Sequence, residues 1–409
     1  MVMANELFNW LYRDLEDQAR AILEPTSFNY YRSGATKERT LARSRDSWSK
    51  YDFIPRIPVE RKMVSSRSQF CTVDLAAPIY VAPMAFQSLL NSGAESQFAL
   101  AANLVNVPYC LSSRTTTPIN EVAEVAADPA EQKRLFGELG GFHKYMLEHF
   151  WEKDKESPKS SKLFFQVYFM AERDVTLQLA QEAKSSGFSL LVLTVDTPVL
   201  GMRLSDLKMG FVPPEGYADK LYDRLVAQGR QSHSIGADDI PFQPKSRDNA
   251  LNQDPTIGLG ATKLLKDKVD LPVATKGVIS QADLAVAIAN GADGVVISNH
   301  GGRQLDDTIV TANALWGFWD NFDPLRVSVD GGISNGADVV KALCMGAGSV
   351  GIGRNAAWAF ASGGALGVAA YLIEVRIEIE YAMTLLGAAS ISELDRSYVT
   401  PRMLPYESH

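Results

Sequence analysis

The chain reads as an α/β protein on three observations. From residue 77 onward, eight short apolar runs alternate with segments of helical composition. Each run has strand length, and most are rich in β-branched or aromatic residues and bounded by Gly, Pro, Ser or Asp. Polar and charged residues gather at the C-terminal ends of the runs. Eight strand–helix units match a closed (β/α)8 TIM barrel; an open doubly wound sheet is the competing arrangement. The expected architecture is that barrel, with an N-terminal helical cap and long lid-like insertions after strands 2 and 4.

Residues 1–76 are expected to form the cap. Leu7, Leu11, Leu15 and Ala19 recur every fourth residue, which predicts a helix over 5–23. The stretch Phe28–Ala35 follows, then a helical segment through Asp46, and 51–78 reads as irregular or short-strand structure. Residues 77–390 hold the barrel. Its strands are expected at Pro78–Pro83, Val107–Ser112, Leu163–Tyr168, Leu190–Asp196, Leu271–Lys276, Gly294–Ser298, Leu325–Asp330 and Gly348–Gly353. Helices are expected between them, for example over Ala94–Leu104, Val175–Ser186 and Gln281–Asn290. Two gaps exceed a plain connection. Residues 126–162 are aromatic and amphipathic in the middle and charged at the end; 204–256 are polar and punctuated by Gly and Pro. Both are expected to leave from strand C-termini, where such barrels place their active sites, so both read as lids. Residues 391–409 read as a C-terminal tail.

The 409 residues are 46% hydrophobic and 22% charged, enough for a sizeable core. A net charge of −8 and a pI near 5.3 argue against a nucleic-acid partner. No apolar run reaches membrane-spanning length. The N-terminus carries acidic residues early and lacks the apolar core of a secretion signal. Cys71, Cys110 and Cys344 have no metal-ligand spacing and read as reduced residues of a cytoplasmic protein.

The most informative stretch is Gly291–Asp306, GADGVVISNHGGRQLD. Val295–Ile297 has the signature of a buried strand. Behind it, Ser298, His300 and Arg303 place a titratable base and a fixed cation close together on a glycine-rich loop. A surface loop with a hydrogen-bonded histidine is the plainer alternative. The other strand ends extend the set. The first ends Pro83-Met84-Ala85, the second at Ser112 with Arg114 following. The third offers Gln166 and Tyr168 on one face. The fourth offers Thr194 and Asp196, with Arg203 seven residues on, and the fifth Lys276. The seventh ends Asp330-Gly331-Gly332 and the eighth Gly353-Arg354. Glycines after the last two strands suit a phosphate cradle, to which Arg354 adds charge-assisted bonds; tight turns are the alternative. Gln166, Thr194 and Lys276 suit a flat ring with several acceptors. Lys276 would be costly to bury alone and beside an electron-accepting ring would stabilise negative charge. Arg203 and Arg303 suit bidentate capture of a carboxylate, although a single arginine is more often a surface ion pair. Asp196 suits a carboxylate that orients His300.

In order along the chain, YYRSGA, APMA, QVY, TVDTPVLGMR, TKGV, SNHGGRQLD, DGGI and GIGR resemble the FMN-dependent L-2-hydroxy acid oxidases and dehydrogenases. Glycolate oxidase, lactate oxidase and mandelate dehydrogenase are members of that family. The resemblance spans roughly residues 20–390 and rests on the order of the motifs. It implies FMN as cofactor and oxidation of a small-molecule L-2-hydroxy acid to the 2-oxo acid. It implies His300 as the base and Asp196 as its partner. Arg203, Arg303 and Tyr30 would hold the substrate carboxylate, with Tyr168 near its hydroxyl and Lys276 near flavin N1 and O2. Pro83, Met84 and Ala85 would pass behind the flavin near N5. Ser112, Gln166, Thr194 and Ser298 would contact the ring and Asp330 the ribityl chain. Gly332, Gly353 and Arg354, with Gly331 beside them, would contact the phosphate end of the cofactor.

Two mechanisms fit that resemblance: hydride transfer to N5 while His300 takes the hydroxyl proton, or removal of the α-proton by His300. Ala85 tilts the reading toward O2 as the acceptor, with release of hydrogen peroxide. A dehydrogenase using a quinone or another acceptor is an alternative, as is a decarboxylating monooxygenase like lactate monooxygenase. FMN-dependent isomerases and IMP-dehydrogenase-like barrels share the late phosphate loops but do not demand the two arginines and the histidine. The resemblance also implies a homo-oligomer, tetrameric or octameric. The chain departs from the family pattern in two places. Ile333-Ser334 stands where relatives carry an apolar residue and an arginine, removing one expected flavin or phosphate contact. Arg114 stands where many relatives have an apolar or aromatic pocket residue. Directed inward, it would bind substrate and imply a second anionic or polar group on it.

Overall fold

The structure is a computed structural model that describes residues 14–57, 60, 63–154, 163–228, 253–254, 258–318 and 322–402. Three short strands come first: β1 (Tyr51–Phe53), β2 (Ser68–Phe70) and β3 (Val73–Leu75). Eight more follow: β4 (Ile79–Val81), β5 (Tyr109–Ser112), β6 (Leu163–Tyr168), β7 (Leu190–Thr194), β8 (Val273–Val278), β9 (Gly294–Ile297), β10 (Val327–Asp330) and β11 (Ser349–Ile352). These are hydrogen-bonded in chain order, all parallel, and β11 pairs with β4 to close the barrel. Each of the eight runs read from the sequence lies on one of them, and the closed barrel is the expected fold.

The barrel interior is apolar over its lower layers. Tyr80, Cys110, Phe164, Leu190, Val192, Ala274 and Val296 meet there, and Phe70, Cys71, Val73 and Leu75 of the β2–β3 hairpin close the cluster from below. Phe70 stacks on Tyr80 with centroids 6.0 Å apart, and the Cys71 N–H donates to Leu325 O just ahead of β10. The hairpin therefore stoppers the N-terminal end of the barrel. All three cysteines are free and buried.

The cap rests on the opposite end. The expected N-terminal helix is described over Leu15–Ile22, residues 1–13 lying outside the described residues. Helices Pro25–Arg32 and Arg39–Arg45 follow. Asp306, behind β9, accepts from Thr36 Oγ1 (2.8 Å), Lys37 N (3.1 Å) and Thr40 N (2.8 Å), and so fastens the cap to the loop carrying His300 and Arg303. Burial works against this carboxylate, but the donors from Thr40 and Thr36 outweigh it and hold Asp306 well below the usual carboxylate range. Trp48 Nε1 donates to Gly331 O at 3.0 Å. Gly332, at φ +76°, lies so close to the cap that a Cβ would come within 2.1 Å of Ser44 O. Beyond the barrel, β12 (Val399–Pro401) pairs antiparallel with β1 of the cap; residues 403–409 lie outside the described residues.

The two insertions lie at different ends of the molecule, which corrects half of the lid expectation. Residues 126–154 do not leave from a strand. They begin at the C-terminal end of the helix Ile119–Ala127 and belong to the return toward β6, as helices Pro129–Glu138 and Gly141–Asp154. These pack on Ala94–Leu104 and Arg354–Leu386. Trp151 Nε1 donates to Leu104 O (3.1 Å) and Asn106 Nδ2 to Asp154 Oδ2 (3.2 Å), beside the N-terminal end of β5. The segment covers the flank and base, not the mouth. Its length was legible, but not which turn of the β/α unit it interrupts. Residues 155–162 lie outside the described residues.

The second insertion does leave from a strand end, after β7. Its described part forms helices Leu204–Lys208 and Tyr217–Ala227. Tyr217 N donates to Thr115 O (2.8 Å), and Phe211 stacks on Tyr30 of the cap with centroids 4.4 Å apart. Residues 229–252 and 255–257 lie outside the described residues.

The helix Arg354–Leu386 is long and apolar enough to cross a membrane by length and composition, a length no single apolar run of the sequence suggests. Most of its apolar window is packed inside the protein, as a core helix is. Gly364, at φ 56° and ψ −145°, breaks its regularity.

Candidate active site

At its C-terminal end the barrel interior turns from apolar to polar. Side chains on a strand return to the same face every second residue. Ser112 follows Cys110 on that face, Gln166 follows Phe164, Thr194 follows Val192, Lys276 follows Ala274, Ser298 follows Val296 and Asp330 follows Ser328. All six are buried. Ser112 Oγ donates to Gln166 Oε1 (3.0 Å), and Gln166 Nε2 to Thr194 Oγ1 (3.0 Å). Lys276 Nζ donates to Ser298 Oγ (2.9 Å), which donates to Asp330 Oδ1 (2.6 Å); Asp330 Oδ2 is 3.3 Å from the ammonium. Burial works against the charge on Lys276, but the Asp330 and Asp196 carboxylates outweigh it and raise its pKa. It is an ammonium at neutral pH.

His300 stands above this floor. Its Nδ1 is 3.0 Å from Asp196 Oδ1, and its backbone N–H donates to Ser298 Oγ at 3.1 Å. The residue has φ +57°, followed by Gly301 and Gly302 at +64° and +75°. Such a left-handed turn is costly for a residue with a side chain and is held here by the surrounding contacts. Burial pushes the imidazole pKa down and, with smaller help from Lys276 and Arg203, outweighs the upward pull of the Asp196 carboxylate. Asp196 is pushed up by burial but pulled further down by His300 and Lys276. The pair is thus an ionised Asp196 and a neutral His300 at pH 7. With Nδ1–H donated to Asp196, Nε2 is the basic nitrogen. Gly277 makes the arrangement possible: it has φ +107° at a bulge in β8, and a Cβ there would lie 2.5 Å from Asp196 Cβ.

Two guanidinium groups adjoin His300. Arg303 Nη1 donates to Tyr30 O, to Ser33 O (2.9 Å) and to Ser33 Oγ (3.2 Å), and its Cζ lies 4.8 Å from the Tyr30 ring centroid. Its Nη2 is buried without a hydrogen-bond partner among the described residues, and so is Arg203 Nε. Burial and the neighbouring Arg203 push Arg303 down to about 10. Tyr168 shares the site: burial, then Asp196, raise its phenol pKa, so it stays protonated.

Pro83, Met84 and Ala85 form a half-buried rim after β4, and Tyr31 Oη donates to Ala85 O at 2.5 Å. Arg114 is half-buried, with its N–H on Ser112 Oγ (3.2 Å) and its carbonyl accepting from Phe86 N (3.0 Å). The structure thus brings the residues picked from the strand ends to one end of the barrel. The arrangement also includes Asn29, Ser33, Asp206 and Phe211, which the motif reading passed over. Asp206 had one weak signal, a carboxylate three residues after Arg203.

FMN fits this donor set. The buried hydroxyl, amide and ammonium groups of the floor match a flat ring with several acceptors. The N–H groups of Gly331, Gly332 and Gly353 make no hydrogen bond among the described residues. Arg354 beside them is a cation that burial and the nearby Arg303 and Arg45 push down to about 9. A phosphate would relieve that repulsion. Its fork is partly committed: Nε donates to Tyr31 O (2.8 Å), and Nη2 to Ser33 O (3.2 Å) and Gly301 O (2.9 Å). Arg354 therefore ties cap, His300 loop and β11 together. Ser334 gives no substitute for the missing arginine. Its N–H and Oγ both go to Asp338 Oδ2, at 3.0 and 2.7 Å.

Comparison with known proteins points to one family. The family model described as FMN-dependent dehydrogenase matches residues 19–139 and 138–401. A 2-hydroxyacid oxidase of Dictyostelium discoideum is 31% identical over 394 residues, 94% of this chain and 89% of the relative. An L-lactate oxidase of Nostoc sp. is 32% identical over 391 residues, 94% of this chain and 96% of the relative. The solved structure of mandelate oxidase with benzoyl-formic acid superposes with a TM-score of 0.73 at 27% identity, covering 95% of this chain and 96% of that one. A polar barrel mouth suited to FMN, in a chain matched by that family almost end to end, leaves one assignment: this chain belongs to the FMN-dependent dehydrogenase family, and FMN is its cofactor.

Proposed function

We propose that the chain oxidises an L-2-hydroxy acid to the 2-oxo acid. The observation that carries this reading is the pair of buried guanidinium nitrogens, Arg203 Nε and Arg303 Nη2, that make no hydrogen bond among the described residues, beside a neutral His300. Two donors of fixed charge without a hydrogen-bond acceptor among the described residues suit a carboxylate. A substrate so held places its neighbouring hydroxyl-bearing carbon near the base. FMN, when bound, takes up the two electrons of the oxidation.

The protein's own groups do the rest. Arg203, Arg303 and Tyr30 fix the carboxylate, and Tyr168, a protonated phenol, hydrogen-bonds the substrate hydroxyl. His300 Nε2 removes a proton from the substrate, and the ionised Asp196 behind Nδ1 stabilises the imidazolium that results. Lys276 offers positive charge to the polar floor where negative charge develops. Pro83, Met84, Ala85, Ser112, Gln166, Thr194, Ser298 and Asp330 hold the flavin and ribityl chain. Gly331, Gly332, Gly353 and Arg354 hold the phosphate. Dioxygen then takes the two electrons and leaves as hydrogen peroxide, a reading supported by Ala85 and by relatives named as oxidases. Arg114 selects for a polar or anionic group on the substrate side chain.

The test is turnover by the FMN-loaded protein with a panel of L-2-hydroxy acids, following oxygen consumption and peroxide. Peroxide formed one for one with 2-oxo acid supports the oxidase. Reduction with a dye or quinone but not with oxygen would make the chain a dehydrogenase. No turnover with any acid and any acceptor would remove the reading.

A further inference from the structure

The described part of the second insertion brings a carboxylate to the proposed substrate clamp. Asp206 lies on the short helix Leu204–Lys208 and is 7% exposed. Its Oδ1 accepts from Asn29 Nδ2 and from Ser33 Oγ, each at 2.8 Å, both on the cap. Its Oδ2 faces Arg303 Nη2 at 3.9 Å. That is too long for a hydrogen bond and short enough for strong charge–charge interaction. Arg303 does not depend on Asp206 for its orientation. Its Nη1 is held by Tyr30 and Ser33, and the Tyr30 ring lies against the guanidinium.

We propose that Asp206 sets the anion affinity of the clamp made by Arg203 and Arg303, so that a monocarboxylate binds reversibly and a second negative charge near Arg303 is disfavoured. The proposal rests on the reading of Arg203 and Arg303 as the carboxylate site. Arg203 depresses the pKa of Arg303, so the two half-buried cations repel each other, and an incoming carboxylate gains from relieving that repulsion. Asp206 relieves part of it in advance. It stays in place when the substrate enters, because Oδ1 remains bonded to the cap, so its charge is a fixed opposing term. The 2-oxo acid product carries the same carboxylate as the substrate, so the same charge limits how long the product is retained.

The geometry supplies a clean test. In Asp206→Asn the side-chain oxygen can keep both bonds made by Oδ1, while an amide replaces the charged oxygen facing Arg303. Pyruvate and oxalate are titrated into FMN-loaded wild-type and variant protein, followed by the flavin absorbance change. Pyruvate should bind roughly tenfold more tightly to the variant, and the oxalate dianion should gain more than that, the scale of removing one nearby charge. KM for the L-2-hydroxy acid should fall in parallel, with the rate of flavin reduction at saturation changed by less than about threefold. Asn29→Ala, which loosens the tether and leaves the charge, should lower Tm without tightening either anion. Equal or weaker anion binding by Asp206→Asn would overturn the proposal alone. Asp206→Ser, read in the same way, replaces it if it does not fold. Failure of the wild-type protein to respond to any 2-oxo acid, oxalate or 2-hydroxy acid would overturn the functional reading and this proposal together.

Discussion

The two insertions invite comparison because both interrupt the same repeating unit and differ only in which turn they use. Residues 126–154 occupy the return from helix to strand. They spend their polar groups on the body of the protein: Arg376, 1% exposed, pairs with Asp154 at 3.3 Å and donates to Val105 O (2.8 Å), and Lys153 pairs with Glu380 at 2.7 Å. The described part of 204–256 occupies the turn from strand to helix. It spends its groups at the barrel mouth, through Phe211 on Tyr30 and Asp206 beside Arg303. A barrel separates stability from chemistry by end, so a segment's length says little about its role until its end is known.

That contrast predicts two kinds of variant, and the largest effects belong to the mouth. His300→Ala should retain FMN and lose flavin reduction by a factor of about 10³, within the range for removal of a general base. A variant reduced at the wild-type rate would take His300 out of the mechanism. Arg303→Ala should raise KM about a hundredfold, the cost of a charge-assisted bidentate partner, while the flavin spectrum of the loaded protein is unchanged; an unaltered KM would remove Arg303 from the clamp.

Paired variants then sharpen the comparison. Asp154→Asn in the first insertion leaves Arg376 buried and unpaired, which should cost about 3 kcal/mol of stability and show as a lower Tm with KM unchanged. Phe211→Ala in the second should raise KM about fivefold, the worth of one aromatic pair, with little change in Tm. A KM effect from Asp154→Asn, or none from Phe211→Ala, would break the division between base and mouth.

The smallest expected effect is in pH. The pKa of His300 is depressed, so the proposed base is already neutral at pH 7, and kcat/KM should rise with pH through a midpoint below about 6.5 and then level off. The sign for stability agrees: a histidine depressed in the fold contributes fully above its ordinary value, and that contribution is lost as pH falls through the folded pKa. A kcat/KM midpoint above 7 would mean that Asp196 dominates over burial.

Much of the barrel was legible because strand periodicity and strand-end chemistry are local. Val295–Ile297 followed by Ser298, His300 and Arg303 announces both a buried strand and a site, and β9 ends where that pattern ends. The end at which 126–154 lies was not legible, because helical amphipathicity is the same in either turn. Asp206 and Ser33 were missed for a different reason. Their importance comes from a meeting between residues 173 positions apart, which no local pattern encodes. The partial commitment of Arg354 to cap carbonyls is of the same kind: a GIGR motif places the arginine at a strand end but does not say what its fork will meet.

The most direct test of the account is anaerobic mixing of FMN-loaded wild-type and His300→Ala protein with an L-2-hydroxy acid and its D enantiomer, following flavin absorbance. Rapid bleaching of the wild-type protein by the L acid alone is expected, with a loss of about 10³ in that rate in the variant. Bleaching by neither enantiomer of any acid tried, or equal bleaching of both proteins, would contradict it.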